Sequence, residues 1–189
     1  KPSSAASDVY KRQLVNKEII AFPGRLSSWK GQESFIKLIS NLPDNYSGLI
    51  VGPYQDAKKK YYKKLQNLIR DYNLENRVFF YNAKDDIREI YSLSALVMNL
   101  SSTPEPFGRT LLEAAMMGKK ICGWNRGGVG EVLKLFYEEG QVEFKDFKQL
   151  TEKTKSIIAK NNKPKEVFLT SQLMHQKTID FYLEALGKS

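Results

Sequence analysis

The sequence predicts an α/β fold: a Rossmann-like, mostly parallel sheet of about six strands with helices on both faces. Three observations lead to this prediction. Short apolar runs alternate along the chain with segments whose apolar residues recur at helical spacing. Most of these runs end in glycine, proline or polar residues, as strands followed by turns do. Strands that alternate with helices require crossover connections, which produce parallel strands between two helical layers.

Each predicted element follows from its local pattern. The strands are short and rich in apolar, β-branched or aromatic residues. The first helix carries Phe35, Ile36 and Ile39 on one stripe and stops at Pro43. Segment 124–131, WNRGGVGE, is predicted as a glycine-rich turn. The strands are predicted at 18–24, 47–53, 76–82, 95–101, 119–124 and 140–145, and the helices at 31–43, 57–72, 84–94, about 108–118, and from 146 onward with a break near 161–165.

The composition indicates one globular domain without an internal disulfide. The chain has 189 residues, of which 41% are apolar, and a single cysteine, Cys122, which fits a reducing compartment. No apolar run approaches the ~20 residues that a membrane-spanning helix needs. We therefore expect a cytoplasmic protein.

The net charge of +9 raises the question of an anionic partner. Part of this charge lies in residues 57–70, AKKKYYKKLQNLIR, where lysines surround an apolar helical stripe. The simplest interpretation is a solvated basic face, and the alternative is peripheral contact with anionic lipid headgroups. The sequence contains no recognisable nucleic-acid-binding module and no zinc spacing, so we expect no nucleic-acid partner.

The loop after the first strand is the first candidate for ligand contact, because ligands of such sheets bind beyond the carboxyl ends of the strands. Gly24 permits a sharp turn, and Arg25 and Lys30 then lie five residues apart in one loop. A guanidinium and an ammonium so placed suit a diphosphate. A basic surface loop with no ligand is the alternative.

The loop after the fourth strand is the second candidate. Pro104 and Pro106 keep the backbone around Glu105 extended. The helix that follows should present unpaired N–H groups, which suit an anion. Glu113, about one turn further on, suits paired hydroxyls such as a ribose diol, or else only complements the helix dipole. The free N–H groups are expected at Gly108, Arg109, Thr110 and Leu111.

These loops together resemble a known family. The motifs GRLSSWKG, LIVG, NRVFFYNAKDDI, PEPFGRTLLEAAMMGKKICG and RGGVGEVL occur in this order. Over residues 18–187 the chain resembles the C-terminal, donor-binding lobe, one half, of a GT-B glycosyltransferase. The resemblance is to the retaining family 4, in the form typical of bacterial enzymes that build lipopolysaccharide or other surface glycans. It implies an enzyme that moves a hexose-type sugar from a nucleoside-diphosphate sugar to a glycan or glycolipid.

The resemblance also implies roles for residues. The site would need neither metal nor cofactor, and no residue is assigned as a catalytic base. Arg25 and Lys30 would bind the pyrophosphate and stabilise the leaving group, and Glu105 would hold the transferred sugar. The donor-binding set implied in this way comprises Gly24 in the first turn, Asn82, Ala83 and Ile87 at the base, the backbone of Phe107 and Gly108 at the sugar, Arg109, Thr110 and Leu111 at the phosphates, and Glu113 at the ribose.

A complete GT-B enzyme has a second lobe that binds the acceptor. Residues 1–17 resemble the end of an inter-lobe linker, and 18–189 form the donor lobe. We therefore expect the isolated lobe to turn over poorly, with its N-terminal lobe as the missing partner. Trp124 and Arg126 are larger than is usual in the glycine turn, and His175 lies away from every motif.

Two other functions remain open on the sequence. One is the GT-B lobe of a sugar-nucleotide epimerase or a phosphorylase. The other is a non-catalytic binding domain that has retained the fold, for which the lysine-rich helix would be the contact surface.

Overall fold

The protein forms a six-stranded sheet in which every strand pair is parallel. The computed structural model describes residues 16–53, 59–82 and 87–166. The order of the strands across the sheet is β3-β2-β1-β4-β5-β6. The strands are β1 (Glu18–Pro23), β2 (Tyr46–Val51), β3 (Val78–Tyr81), β4 (Leu96–Asn99), β5 (Ile121–Trp124) and β6 (Gln141–Val142).

Helices connect consecutive strands and cover both faces of the sheet. From β1 to β3 the strands are added towards one edge of the sheet, and from β4 to β6 they are added towards the other edge. Right-handed crossovers therefore place the helices of the two halves on opposite faces. The helix contacts agree with this division, because α1 packs on α2 and α6, whereas α4 packs on α5. The helices are α1 (Gln32–Ser40), α2 (Lys59–Asp71), α3 (Ile87–Leu93), α4 (Arg109–Met116), α5 (Gly127–Phe136) and α6 (Phe147–Ala159).

The core explains why the central strands are mostly apolar. Residues of β2 and β4 are buried throughout, since helices cover both faces of a parallel sheet. On the α1 side the rings of Phe22 and Phe35 stack with centroids 4.7 Å apart. Gly48 lies beneath α1, where a Cβ would come within 2.8 Å of the Phe35 ring. The strand and helix thus approach closely because position 48 has no side chain.

The sheet positions the site through the neighbouring strands β1 and β4. Their pairing aligns Ile20 with Leu96 and Ala21 with Val97, although the strands are far apart in sequence. The direction of chain progression reverses between them, and such a switch point leaves a crevice at the carboxyl edge of the sheet. The loops that follow β1 and β4 are the two that the sequence singles out, and they are neighbours in space.

The predicted fold class is confirmed, with one helix missed. The segment predicted as a glycine-rich turn contains the start of α5, whose Val129, Val132 and Leu133 are buried. The glycines concealed this helix because they lower helix propensity at its first turn. Cys122 is fully buried, as predicted, and burial raises the pKa of its thiol to about 12. Ala83, His175 and the chain after 166 lie outside the described residues.

Candidate functional site

The loops after β1 and β4 are joined backbone to backbone. The N–H of Ser102 donates to the carbonyl of Trp29 at 2.7 Å, and the Ser102 hydroxyl donates to the same oxygen at 3.2 Å. Gly31 has φ of 91° and lies so close to β4 that a Cβ there would be 2.0 Å from the Leu100 carbonyl oxygen. This contact requires glycine, because the conformation and the space both exclude a side chain. The two loops therefore form one rigid edge.

Lys30 and Glu105 meet across this edge. Lys30 Nζ donates to Glu105 Oε1 at 2.8 Å, and the two side chains are only 17% and 11% exposed. The same carboxylate oxygen accepts from Asn99 Nδ2 at 3.0 Å and from the Ser101 hydroxyl. One oxygen of Glu105 therefore has three donors, which together hold the carboxylate in one orientation.

These contacts keep Glu105 ionised. Burial by itself raises the pKa of the Glu105 carboxyl, since it penalises the charged form. The hydrogen bonds from Lys30, Ser101 and Asn99, together with the positive charge of Lys30, outweigh burial and lower the pKa below its usual value. At neutral pH the group is a fixed, negatively charged acceptor.

Arg25 differs from Lys30 in its surroundings. Its side chain is exposed, and the guanidinium lies 6.0 Å from the centroid of the Trp29 ring, at the outer limit of a cation–π contact. Its carbonyl accepts from the side chain of the fully buried Gln32 at 3.0 Å. The backbone at Arg25 is held in place while the guanidinium extends into solvent, where it is available to an anion.

The start of α4 is uncapped by any side chain. Gly108 has φ of 57° at the N-cap and makes no side-chain cap hydrogen bond. In the described parts of the chain, the N–H groups of Arg109 and Thr110 have no acceptor. The predicted free N–H at Leu111 is wrong, because it donates to the Gly108 carbonyl at 3.0 Å and tightens the first turn. Two helical N–H groups rather than three are therefore available there.

The glycines of α5 hold the loop that carries Glu105. The N–H of Gly128 donates to the Glu105 carbonyl at 2.7 Å. A Cβ at Gly127 would lie 2.7 Å from that carbonyl oxygen, and one at Gly128 would lie 2.5 Å from the Pro106 oxygen. These glycines make room for the chain's own loop, a role that their local sequence pattern does not predict. Phe107, at the tip of this loop, is 72% exposed.

Among the described residues, Glu113 makes no hydrogen bond to Lys30 or Glu105. Its side chain is exposed and accepts from the Tyr91 hydroxyl at 3.3 Å. The same hydroxyl lies 3.3 Å from the Thr110 carbonyl. Burial, the charge of Glu113 and this hydrogen bond all raise the pKa of Tyr91 above its usual value. Glu113 thus lies on α4 with one oxygen fixed by α3.

The loop after β3 supplies the remaining predicted residues. Asn82 directly follows the strand and is half-buried, and Ile87, at the start of α3, packs against the core. At the neighbouring turn Gly24, with φ of 153°, donates from its N–H to the Val51 carbonyl at 2.8 Å. The carboxyl ends of β1 and β2 are thereby linked.

Several residues that shape the site were missed by sequence reasoning. Asn99 is the last residue of β4, and Ser101 lies two residues beyond it. Polar residues at the end of an apolar strand were the signal that could have identified them. Trp124 and Arg126 prove to support the same segment: the indole N–H of Trp124 donates to the Leu100 carbonyl at 3.0 Å, and the guanidinium of Arg126 donates to Ser102 at 2.9 Å.

The described residues contain no group of three or more histidine, cysteine or acidic side chains arranged to hold a metal ion. That the site needs no metal stays a prediction from the resemblance. What the site offers chemically is an exposed guanidinium, an ammonium, two free helical N–H groups and a fixed carboxylate along one edge. Such a set can accept an anionic group and hydroxyl groups of the same ligand.

Comparison with known proteins identifies the family. The family described as "Glycosyl transferases group 1" matches residues 8–168. The 2-deoxystreptamine N-acetyl-D-glucosaminyltransferase of Niallia circulans is 30% identical over 129 residues, which are 65% of this chain and 31% of that protein. Among solved structures, Anabaena Alr3699/HepE in complex with UDP-glucose is 28% identical, with a TM-score of 0.73 over 84% of this chain and 44% of that one.

A glycosyltransferase from Rickettsia africae shares the fold, with a TM-score of 0.77 and 24% identity over 100% of this chain and 53% of that one. The chain thus spans about a third to a half of the length of these relatives. The match to the family covers most of the sequence, and the chain therefore belongs to the glycosyl transferases group 1 family.

Proposed function

We propose that this chain is the donor-binding, C-terminal lobe of a retaining, family 4 GT-B glycosyltransferase. Its donor is a nucleoside-diphosphate sugar, from which a hexose-type sugar passes to a glycan or glycolipid of a bacterial surface, such as lipopolysaccharide. The observation that supports this most directly is the convergence of Lys30, Glu105 and the uncapped start of α4 at the switch point of the sheet.

The groups around this point divide naturally among the parts of such a ligand. The exposed Arg25, the ammonium of Lys30 and the N–H groups of Arg109 and Thr110 bind the diphosphate. Glu105, with the backbone of Phe107 and Gly108, holds the sugar. The remaining donor contacts are Glu113 at the ribose and Asn82, Ala83 and Ile87 at the base. The UDP-glucose bound by the related Anabaena protein favours this type of ligand.

The chemistry is electrostatic. When the glycosidic bond to the diphosphate breaks, negative charge develops on the departing phosphate. Lys30 and the helix start are fixed beforehand, and together with Arg25 they stabilise this charge. Such preorganised stabilisation is the usual source of large rate effects in enzymes. We propose that these groups replace a metal ion. No residue of the chain is assigned as a base.

Titration with UDP, GDP and ADP by calorimetry tests this proposal. We expect one nucleoside diphosphate to bind selectively, and Arg25→Ala to weaken it by about 2 kcal/mol, as the loss of a charged hydrogen bond does. Arg70→Ala is the matched control, because Arg70 is also exposed but lies at the end of α2 and pairs with Asn67. Failure of all three nucleotides at millimolar concentration would overturn the donor-lobe assignment.

Glu113→Ala tests the ribose contact. We expect the affinity for a nucleoside diphosphate to fall by about 1 kcal/mol while the affinity for free pyrophosphate stays constant, since only the nucleotide has hydroxyls for the carboxylate. Glu131→Ala, an exposed acid on α5, is the control for the change in charge. Equal losses for nucleotide and pyrophosphate would count against the diol role.

The remaining parts of the proposal concern the whole enzyme. We infer that an N-terminal lobe supplies the acceptor site, that the lobe described here turns over poorly without it, and that the enzyme is cytoplasmic. Among residues 16–53, 59–82 and 87–166, no helix has the length and apolarity that a bilayer crossing requires.

We also propose peripheral contact of α2 with an anionic membrane surface. The helix buries Leu65 and Ile69 and exposes Lys59, Lys60 and Lys63. In a flotation assay the chain should float with vesicles that contain anionic lipid and should not float with neutral vesicles. A Lys59→Glu/Lys60→Glu/Lys63→Glu variant should no longer float with the anionic vesicles. Equal behaviour with both kinds of vesicle would leave the basic face as an ordinary solvated surface.

A further inference from the structure

We propose that Asn99 is the positioning residue for Glu105, and that it fixes Oε1 so that Oε2 alone is presented to the hydroxyl groups of the donor sugar. This inference rests on the proposed function, because it specifies how the same site tells a nucleotide sugar from the nucleotide. Ser101 and Lys30 complete the set of donors to Oε1.

Asn99 has the geometry of a fixed connector. It is the last residue of β4 and is only 4% exposed. Its Nδ2 donates to Glu105 Oε1 at 3.0 Å, and its Oδ1 accepts from the N–H of Ser101 at 3.0 Å. The same Nδ2 lies 3.5 Å from the Thr110 hydroxyl, at the outer limit of a hydrogen bond. The amide thus ties the strand end and the loop to Glu105.

The two oxygens of Glu105 are in different situations. Oε1 accepts from three donors, which is more than its two lone pairs can align with at once. In the part of the chain that the structure describes, no donor reaches Oε2, and this atom is not among the buried polar atoms without a partner. Oε2 therefore keeps some contact with solvent on a side chain that is only 11% exposed.

This asymmetry has a chemical consequence. An ionised carboxylate is an acceptor only, so the open oxygen selects ligand groups that donate, such as sugar hydroxyls. Because the other oxygen is held by three donors, the carboxylate does not have to be ordered when the sugar binds. Sugar recognition is then enforced by residues that do not themselves touch the sugar.

A purely structural role for Asn99 is the competing interpretation, since Oδ1 also holds the turn at Ser101. The substitution Asn99→Asp separates the two roles. It retains the size of the side chain and an oxygen for the Ser101 N–H, but it replaces the amide donor facing Glu105 with a carboxylate oxygen. Asn125→Asp is the matched control, because Asn125 is an exposed amide that donates to Glu143, 3.4 Å away.

The first experiment compares UDP and UDP-glucose as probes by calorimetry. In the wild-type chain UDP-glucose should bind more tightly than UDP, because Glu105 adds contacts to the sugar. In Asn99→Asp this advantage should shrink by about tenfold, with UDP affinity unchanged to within about twofold, as expected when one charged hydrogen bond is lost. Equal weakening of both ligands, or no change in their ratio, would overturn the inference.

The second experiment needs no ligand. Carboxyl-carbon NMR of glutamate-labelled protein, assigned with Glu105→Gln, reports the titration of Glu105. Its pKa should lie below the usual value in the wild-type chain and in Asn125→Asp, and above it in Asn99→Asp. In the wild-type chain Lys30 is the one charged group among the described residues that contacts Glu105, and both variants retain it. Asn99→Asp also places a second carboxylate beside Glu105, so the lost donor and the new charge both raise the pKa of Glu105 there. An unshifted titration in Asn99→Asp would contradict the positioning role.

The two experiments separate the inference from the proposed function. If the wild-type chain binds neither UDP nor UDP-glucose, nor another nucleotide and its sugar conjugate, the donor-lobe assignment fails while the NMR titration still decides whether Asn99 positions Glu105. If both ligands bind and the ratio in Asn99→Asp equals that of the wild type, the donor-lobe assignment stands and the inference about Asn99 fails.

Discussion

Replacing Gly31 with alanine is expected to destabilise the protein by about 4 kcal/mol, from a left-handed backbone and a steric clash combined. Gly31 has φ of 91°, and an added Cβ would lie 2.0 Å from the carbonyl oxygen and 2.6 Å from the carbonyl carbon of Leu100. Backbone atoms of a buried strand end cannot move aside as a flexible side chain can. Urea denaturation at neutral pH measures this loss.

Gly118→Ala is the matched control for this substitution. Gly118 also has positive φ, 68°, but a Cβ there would meet nothing within 4 Å. Its cost should be limited to the left-handed conformation, about 1–2 kcal/mol. The difference between the two variants isolates the clash, so equal losses would show that the loops after β1 and β4 are not packed as described.

Gly31→Ala should also weaken ligand binding. Gly31 follows Lys30 directly, and its contact with Leu100 sets the distance between the two loops. A shift of even a few tenths of an ångström would lengthen the 2.8 Å contact between Lys30 and Glu105. Affinity for the nucleotide sugar should therefore fall in Gly31→Ala and remain unchanged in Gly118→Ala.

Removal of the Lys30 ammonium has the second largest expected effect. Lys30→Ala should lower the free energy of unfolding by about 3 kcal/mol at neutral pH, because it leaves Glu105 charged and mostly buried without its counter-charge. Asn99 and Ser101 still donate to the carboxylate, which keeps the loss at the lower end of the range for buried pairs. Chemical denaturation of the variant and the wild type gives the value.

Lys64→Ala is the control for this loss. Lys64 and Glu33 are 2.7 Å apart, but their side chains are 60% and 36% exposed. Solvent screening and side-chain entropy reduce such a pair to less than about 1 kcal/mol. A loss in Lys30→Ala no greater than that in Lys64→Ala would mean that the Lys30–Glu105 pair adds no stability beyond an ordinary surface contact.

The pH dependence gives an independent check on the same pair. The pKa of Glu105 is lower in the folded protein than its ordinary value of 4.5, so its contacts stabilise the fold fully above that pH. This contribution is lost as the pH falls from there through the folded pKa. The stability difference between the wild type and Lys30→Ala should therefore be constant near neutral pH and shrink in acid. A difference that stays constant into acid would exclude ionised Glu105 as the cause.

Adding Glu105→Gln to Lys30→Ala completes a double-mutant cycle. Burying a neutral amide at position 105 without Lys30 costs less free energy than burying an unpaired carboxylate there. The double variant should therefore be less destabilised than the sum of the two single variants, by about 1–2 kcal/mol for directly contacting charged groups. Additive losses would indicate that the two side chains do not interact.

Much of the architecture follows from local pattern in the sequence. The runs that form β1 and β2 are mostly apolar, and every residue of these strands after Glu18 is buried, because both faces of a parallel sheet are covered. The stripe of Phe35, Ile36, Leu38 and Ile39 is buried in α1 as its spacing predicts. The loops that carry Arg25 and Glu105 could be predicted as well, because ligand-binding residues follow strands in this class of fold.

α5 could not be predicted in this way. The glycines at its start reduce helix propensity, and their presence depends on contacts with the loop around Glu105 that no local pattern records. The N–H of Leu111 was likewise expected to be free, whereas the left-handed turn at Gly108 brings its carbonyl within hydrogen-bonding distance. In both cases the error arose from backbone geometry that neighbouring elements impose.

The sequence by itself determined the fold class, the position of the two loops and the chemical character of their side chains, because each of these depends on residues close together in the chain. The tertiary structure alone decided which groups meet. Lys30 and Glu105 are 75 positions apart, and only the pairing of β1 with β4 brings them into contact. Such long-range pairing depends on how the whole core packs. Only the tertiary structure could therefore show that Lys30, Asn99 and Ser101 all donate to the same oxygen of Glu105.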